Sequence, residues 1–269
     1  MKAAKNSVAL YSCYFGNPEP FNPSSLVAGE GYDCILFTDR QDIAPEGVRL
    51  IRQNTLAFGP AWQSRKAKML PHQELTGYEW AIYVDNRTSL KLHPSEIIRK
   101  ISANFKDEPP AGKHLFRHPE RSNIWEELHV CLMLGHINER EWRDILALYE
   151  RVDLPSDHSL THNAIMIYKM GDRATERAGQ LWFELFLRYS KRDQLTLHVA
   201  DHLAQCSSQL IDFPLREIAD WPVYDDGDRD RATRPKYFRK PPFFTVDGIR
   251  YRIRRARMTR LIRTARQGS

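Results

Sequence analysis

The sequence predicts an α/β protein, and three observations carry that class. Short apolar runs rich in β-branched and aromatic residues recur early, at Val8–Tyr14, 32–38 and 48–52, each followed by a polar break. Stretches with apolar residues three and four apart follow them, the spacing of one helix face. In "EWAIYVDNRTSL", residues 79–90, five mostly apolar residues run straight into Asp85, Asn86 and Arg87. A strand that ends on charge presents that charge at the edge of a sheet, where open α/β folds hold ligands.

The elements follow in order. "VALYSCY" reads as a buried first strand, ended by Gly16, Asn17 and Pro18. "YDCILFT" is a second, ended by Asp39, and 48–52 a short third. Residues 60–70 read as a helix with proline in its first turn and Pro71 as its stop. Arg65 and Lys68 stand three apart on it and so share a face. Residues 94–105 and 139–149 are amphipathic helices. Between them Leu115 and Phe116 lead into a polar loop, "RHPERSNIWEE", that enters another helix. Residues 162–170 read as a strand opened by Asn163, 175–189 as a long helix, and "KRDQLTLHVADHLAQ" as a loop and then a helix.

Composition bounds the function classes. The 269 residues are 42% apolar and 28% charged, enough for one large core. No apolar run is long enough to span a membrane, and the first residues lack the apolar stretch and cleavage site of a signal peptide. The four cysteines are scattered, without a CxxC pair, which fits reduced thiols in a cytoplasmic protein. The net charge is +6, but residues 247–269 hold eight arginines against Asp247, which is +7 and leaves −1 for the rest. The division expected is one domain over residues 1–215, then a charged linker and arginine-rich extension over 216–269, with "DDGDRDRATRPKYFRKPP" as a surface connection. No P-loop, GxGxxG or Gly-x-Ser-x-Gly occurs, so kinase, dinucleotide and serine-hydrolase readings lack their usual motifs.

The run "RKAKMLPHQELTGYEWAIYVDNRTSL" resembles the segment through the metal-binding strand of GT-A glycosyltransferases, and "HNAIMIYKM" followed by "RDQ" resembles their acceptor-side strand and Asp-Gln motif. More narrowly, the pattern is similar to a glycosyltransferase-like family first met in plant mucilage and turgor proteins. Its pieces here are Arg65, Lys68, Pro71 and His72, then Asp85, then Arg117, His118 and Glu127, and last Arg192, Asp193 and Gln194. The resemblance covers roughly residues 5–210 and implies a mixed, mostly parallel sheet flanked by helices, with a nucleotide-sugar donor at the strand ends. It implies a base and ribose pocket at Thr38 and Asp39. Asp85, Asp193 and Gln194 become the catalytic candidates. Arg65, Lys68, Arg87, His118, Glu127 and Asn163 become donor-binding candidates. A divalent metal, Mn²⁺ or Mg²⁺, would sit on a paired-carboxylate motif in such enzymes. Here the triplet is Asp85-Asn86-Arg87, so Asp85 is the one metal ligand on offer, and Arg87 is expected to take over part of the charge on a diphosphate.

Each residue also has a plainer reading. Asp85 could end a strand in a turn, Arg65 and Lys68 could be a solvated face, and Asp193 could cap a helix. Glu127 could pair with a basic neighbour. His198 and His202, four apart, and likewise His158 and His162, are expected to be structural or surface residues. The expected partners are a nucleotide sugar and a glycan or glycolipid acceptor. The arginine-rich tail is either a solvated extension or a helix against an anionic membrane surface, while nucleic acid is disfavoured by the neutral body. A lipid-amide hydrolase of ceramidase type and an inactive nucleotide-sugar-binding protein are the alternatives. The first rests on the histidine pairs, the second on the missing carboxylate.

Overall fold

The computed structural model describes residues 7–16, 19–53, 59–106, 109–155, 159–223 and 246–267. Strands β1 (Val8–Tyr14), β2 (Asp33–Thr38), β3 (Arg49–Arg52) and β4 (Trp80–Val84) form where the apolar runs lie. A two-residue β5 (Ser89–Leu90), then β6 (Gly112–Arg117), β7 (Thr161–Lys169), β8 (Gln209–Ile211) and β9 (Ala219–Asp220) complete the set. Seven of them make one sheet in the order β3-β2-β1-β4-β7-β6-β8, and β5 pairs with β9. Within the large sheet only β7 runs against its neighbours β4 and β6; the other pairings are parallel. This is the mixed, mostly parallel sheet flanked by helices that the resemblance implies.

Both faces of the sheet are covered, which is why β1 and β4 are buried throughout and mostly apolar rather than alternating. On one face Tyr11, Phe37, Tyr83 and Met166 pack against α1 (Pro60–Met69), α6 (Arg173–Tyr189) and α7 (Gln194–Ala204) through Ala67, Trp182 and Leu197. On the other, Leu10, Leu36, Ile82 and Ile165 pack against Ile97 and Ile101 of α3 (Pro94–Ser102). Neighbouring residues of one strand serve opposite layers, as the pleat requires.

A third apolar cluster lies beside the sheet. It joins α4 (Ile124–Leu134), α5 (Glu139–Arg151) and α7, and Met258 of α8 (Val246–Gln267) is buried in it.

Several boundaries differ from expectation. Pro71 closes α1 but also opens the short α2 (Pro71–Glu74). The helix expected over 94–105 ends at Ser102. Helix α6 starts two residues early because the Asp172 side chain caps the backbone amides of Ala174 and Thr175. The chain stays packed beyond residue 215, since Ile218 and Ala219 are buried and β9 pairs with β5. The expected surface connection falls mostly on residues 224–245, outside the described ones.

Topology fixes where a ligand can sit. The chain leaves β1 for β2 and β3 on one side, then returns to place β4 on the other side of β1. Diverging connections leave a crevice at the carboxyl ends of β1 and β4, the switch point where open α/β sheets bind ligands.

Candidate functional site

A cleft of 490 Å³ occupies that switch point, lined by Cys13 of β1 and Gly16 beyond its end, by Pro60 and Arg65 of α1, and by Tyr83 of β4 and Asp85 just after it. Local chemistry builds each wall. Gly16 has φ +67, and a Cβ there would meet Pro60 at 2.9 Å, so only glycine lets this loop touch the start of α1. Its amide donates to Asp39 Oδ1 at 2.8 Å. Asp85 extends the β4–β7 ladder by one bond, its amide donating to the Ala164 carbonyl at 2.8 Å. The chain then turns. The Thr88 amide donates to the Asp85 carbonyl at 2.9 Å, and the Arg87 amide to Asp85 Oδ1 at 3.2 Å. Asp85 therefore fulfils its plain role and lines the cleft as well.

An ion cluster stands behind the cleft. Asp193 Oδ2 lies 2.6 Å from Lys68 Nζ and 3.3 Å from Arg65 Nε. Burial alone would push the Asp193 carboxyl up, but Lys68 and Arg65 outweigh it and hold the group far below its ordinary value. Burial likewise opposes the charge on Arg65, and Asp193 more than compensates, with Asp85 adding to the effect. Lys68 Nζ also sits 5.0 Å from the Tyr83 ring centroid. Arg65 alone of the three reaches the cleft wall. Beside them, Cys13 is pushed up to about 12 by burial, against the lowering pull of Arg65 and Lys68, so it stays a thiol.

Asp193 is also the N-cap of α7, with Oδ1 accepting from the Gln194 amide at 3.1 Å. Gln194 Nε2 donates to the Thr161 carbonyl at 3.0 Å and pins α7 to β7. Next to it, Asn163 Oδ1 accepts from Thr161 Oγ1 at 3.2 Å, while its buried Nδ2 has no hydrogen-bond partner. The β6–β7 register jumps here, from Leu115 opposite Met166 to Phe116 opposite His162. Such irregularities re-aim side chains.

The other candidates are placed elsewhere. Thr38 is 0% exposed and its Oγ1 accepts from the Arg40 amide at 3.0 Å, so it cannot line a base pocket. Asp39 is half-buried at the margin of the cleft, tied to Gly16. Arg87 does not line the cleft; its neighbour Asn86 does. Glu127 is buried, with one oxygen paired to Arg121 and the other accepting from Arg192 at 3.4 Å and Cys131 at 3.2 Å. Both oxygens thus face arginines, and the residue does not line the switch-point cleft. His118 lines a second cavity, together with His162. Asn86 is a site residue that sequence reasoning missed: its buried side-chain amide accepts from the Asn22 amide at 2.9 Å and donates to Glu19 and the Pro20 carbonyl, fastening the loop after β1.

Asp85 is the triplet's one carboxylate for a divalent metal, and Glu19 lines the same cleft. Asp85 has one oxygen on the Arg87 amide, the Asn86 side chain is committed to the loop, and the third position is a guanidinium. Among the described residues, no group of three or more His, Cys, Asp or Glu could hold a metal ion. The pair His198 and His202 is split, with His198 buried against Thr161 at 3.2 Å and His202 bonded to the Val152 carbonyl at 3.0 Å. His158 lies outside the described residues. The hydrolase alternative thereby loses the first of its two histidine pairs.

Fold and cleft thus define a mixed α/β protein with a crevice that bears Glu19, Arg65 and Asp85 at the switch point of its sheet. No known family profile matches the chain, and no curated protein does. Among solved structures it is similar to an apo structure of the bifunctional glycosyltransferase WbbM, at 12% identity and a TM-score of 0.46. That alignment covers 78% of this chain and 39% of the other, and a likeness of that size carries no functional weight.

Proposed function

We propose that this chain is a glycosyltransferase that moves a hexose from a nucleotide diphosphate sugar to a glycan or glycolipid acceptor. The observation that carries the reading is the convergence on one crevice of Asp85 from β4, Arg65 from α1 and, behind Arg65, Asp193 from α7. The first turn of α1 also lines the crevice, and a helix N-terminus with an arginine one turn on favours a diphosphate. The base and ribose would lie toward Gly16 and Asp39.

In the transfer, the acceptor hydroxyl oxygen bonds to the anomeric carbon as the bond to the diphosphate oxygen breaks, and the hydroxyl proton is released to water. Arg65 then meets the charge that grows on the leaving diphosphate, and Asp85 faces the sugar. Asp193 acts through Arg65 and Lys68, as a positioning residue. Gln194 and Asn163 would hold sugar hydroxyls, the unpartnered Asn163 amide being the better placed.

No described helix is long and apolar enough to cross a membrane. The cytoplasmic setting, and contact with a membrane through the arginines of α8, belong to the same proposal.

The test is a thermal-shift screen with UDP, GDP and their sugars, run with and without EDTA. The expected result is a shift with one nucleotide that survives chelation, is lost in Arg65→Ala, and is kept in Asp85→Asn while transfer is lost. No shift with any nucleotide would overturn the reading. A shift together with full transfer by Asp85→Asn would remove Asp85 from the chemistry.

A further inference from the structure

The cavity that holds His118 is not the switch-point cleft. It measures 450 Å³ and lies where β6 and β8 end, walled by the loop after β8 and by Trp221. Its character differs from the cleft's. Trp221 is 42% exposed, an unusual position for so large an apolar ring, and Phe116 and Phe213 stand edge-on behind the cavity wall at 5.8 Å. Arg117 and Arg216 are exposed on its rim. The one acid in the lining, Asp212, already accepts from Asn104 at 2.5 Å.

The floor carries a polar group without a partner. His162 is 5% exposed and lines the cavity, yet its Nδ1 makes no hydrogen bond. Its ring meets Trp221 edge-on at 4.4 Å. A buried polar atom left unpaired costs stability, and a bound ligand is one of the few things that relieves it. The neighbouring ring, His118, lies 5.9 Å from it between centroids. His118 is held as an acceptor by the amides of Glu120 and Arg121, each at 3.2 Å.

We propose that this cavity binds an anionic saccharide, with a sugar ring stacked on Trp221 and its carboxylate or phosphate between Arg117 and Arg216. An exposed aromatic face suits the apolar C–H side of a pyranose, and two guanidiniums suit an oxyanion. Uronates and sugar phosphates share this chemistry, so both are tested. Besides burial and His118, the charges acting on His162 are Asp85 and Lys68, so the ring lies within electrostatic reach of the switch-point site. If the transferase reading holds, the bound saccharide is the acceptor, so the acceptor is anionic. The binding itself does not depend on that reading.

The experiment titrates the full chain with trigalacturonate, glucose 6-phosphate and maltotriose, following indole resonances by NMR. At least one of the two anionic sugars is expected to bind and to move the Trp221 signal. Trp221→Ala should weaken that binding about tenfold. Arg117→Ala with Arg216→Ala, both exposed and so tolerated by the fold, should erase the preference over maltotriose. UDP and GDP shifts measured on the same Trp221→Ala sample keep the two readings apart, since they should be unchanged. Failure of both anionic sugars to bind, equal binding of maltotriose, or binding untouched by these variants overturns the proposal. Loss of nucleotide shifts in the wild type, with saccharide binding intact, sinks the transferase reading instead.

Discussion

Helix α7 carries two buried lysine–aspartate pairs, and they have different fates. Asp201, two turns along, is paired with Lys113 of β6; both are almost fully buried, and Ser208 Oγ donates to the second carboxylate oxygen at 2.7 Å. That pair is closed off from the switch-point cleft, and the cavity that Lys113 borders, of about 20 Å³, has room for little more than a water. Asp193, at the head of the helix, is paired with Lys68 but shares its oxygen with Arg65, which continues to the switch-point cleft. Burial and ion pairing are common to both, so neither marks function. The mark is a third charged group that uses the pair as an anchor and is itself open to a ligand.

The largest expected effect breaks the pairs. Removing one partner of a buried pair leaves an uncompensated charge, at a cost of about 3–5 kcal/mol. Asp201→Ala and Asp193→Ala should lose stability to that extent in denaturant titration. Only Asp193→Ala should also lose nucleotide binding, measured well below its unfolding midpoint. Replacing both members of the closed pair, Lys113→Met with Asp201→Leu, should restore stability with binding intact. If the same double treatment of Lys68 and Asp193 left nucleotide binding whole, the distinction between the pairs would vanish.

The fold was largely legible because strand runs and helix faces are written in short-range periodicity. The site was legible only in part. Arg65 and Lys68 share a helix face by their spacing, and Asp85 sits at a strand end by its position, so both were readable. The partnership of Lys68 with Asp193 spans 125 residues and leaves no local trace. Thr38 and Glu127 were misplaced for the same reason. The Arg40 amide donates to the hydroxyl of one, and two arginines pair with the carboxylate of the other. Asn86 and Trp221 look like turn and linker residues until the chain is folded. The tail's arginines gave no hint that Met258 would be buried beside α4 and α5.

Next in size is a pH effect that belongs to the second cavity. Burial, followed by His118, pushes His162 down to about 4 from an ordinary 6.5. The unfolded chain therefore binds a proton at His162 as pH falls through 6.5, while the folded protein does not until about 4. Stability should fall across that window by roughly 3 kcal/mol from this group alone and change no further below it. The difference in unfolding free energy between wild type and His162→Gln, measured from neutral to acid pH, should show this slope. Asp193 has the opposite character. Its depressed carboxyl keeps its contribution throughout that window and loses it only below the ordinary carboxylate range. A flat difference for His162→Gln would mean that its ring is solvated.

A smaller effect sharpens the contrast through packing. A Cβ on Gly179 of α6 would lie 2.5 Å from the Met69 carbonyl of α1, next to Lys68. Gly179→Ala should cost about 1–3 kcal/mol by forcing the helices apart. The shift moves Lys68 relative to Asp193, so nucleotide affinity should weaken along with stability. The Lys113–Asp201 pair should keep its geometry, visible as an unchanged crystal structure around Ser208.

The smallest effect lies at the exposed extreme. Arg257 of α8 bonds Glu139 of α5 at 2.9 Å, and Arg143 shares the same carboxylate at 3.0 Å. Both arginines lower the Glu139 carboxyl, but solvent screens the pair, in contrast to Lys113 and Asp201. Arg257→Ala should give a slight drop in Tm that disappears in high salt, whereas Met258→Ser, on the buried side of the same helix, should give a larger drop that salt leaves alone. Equal, salt-sensitive losses for the two would mean that α8 is held to the body by charge, and its arginines would then have little left over for a membrane surface.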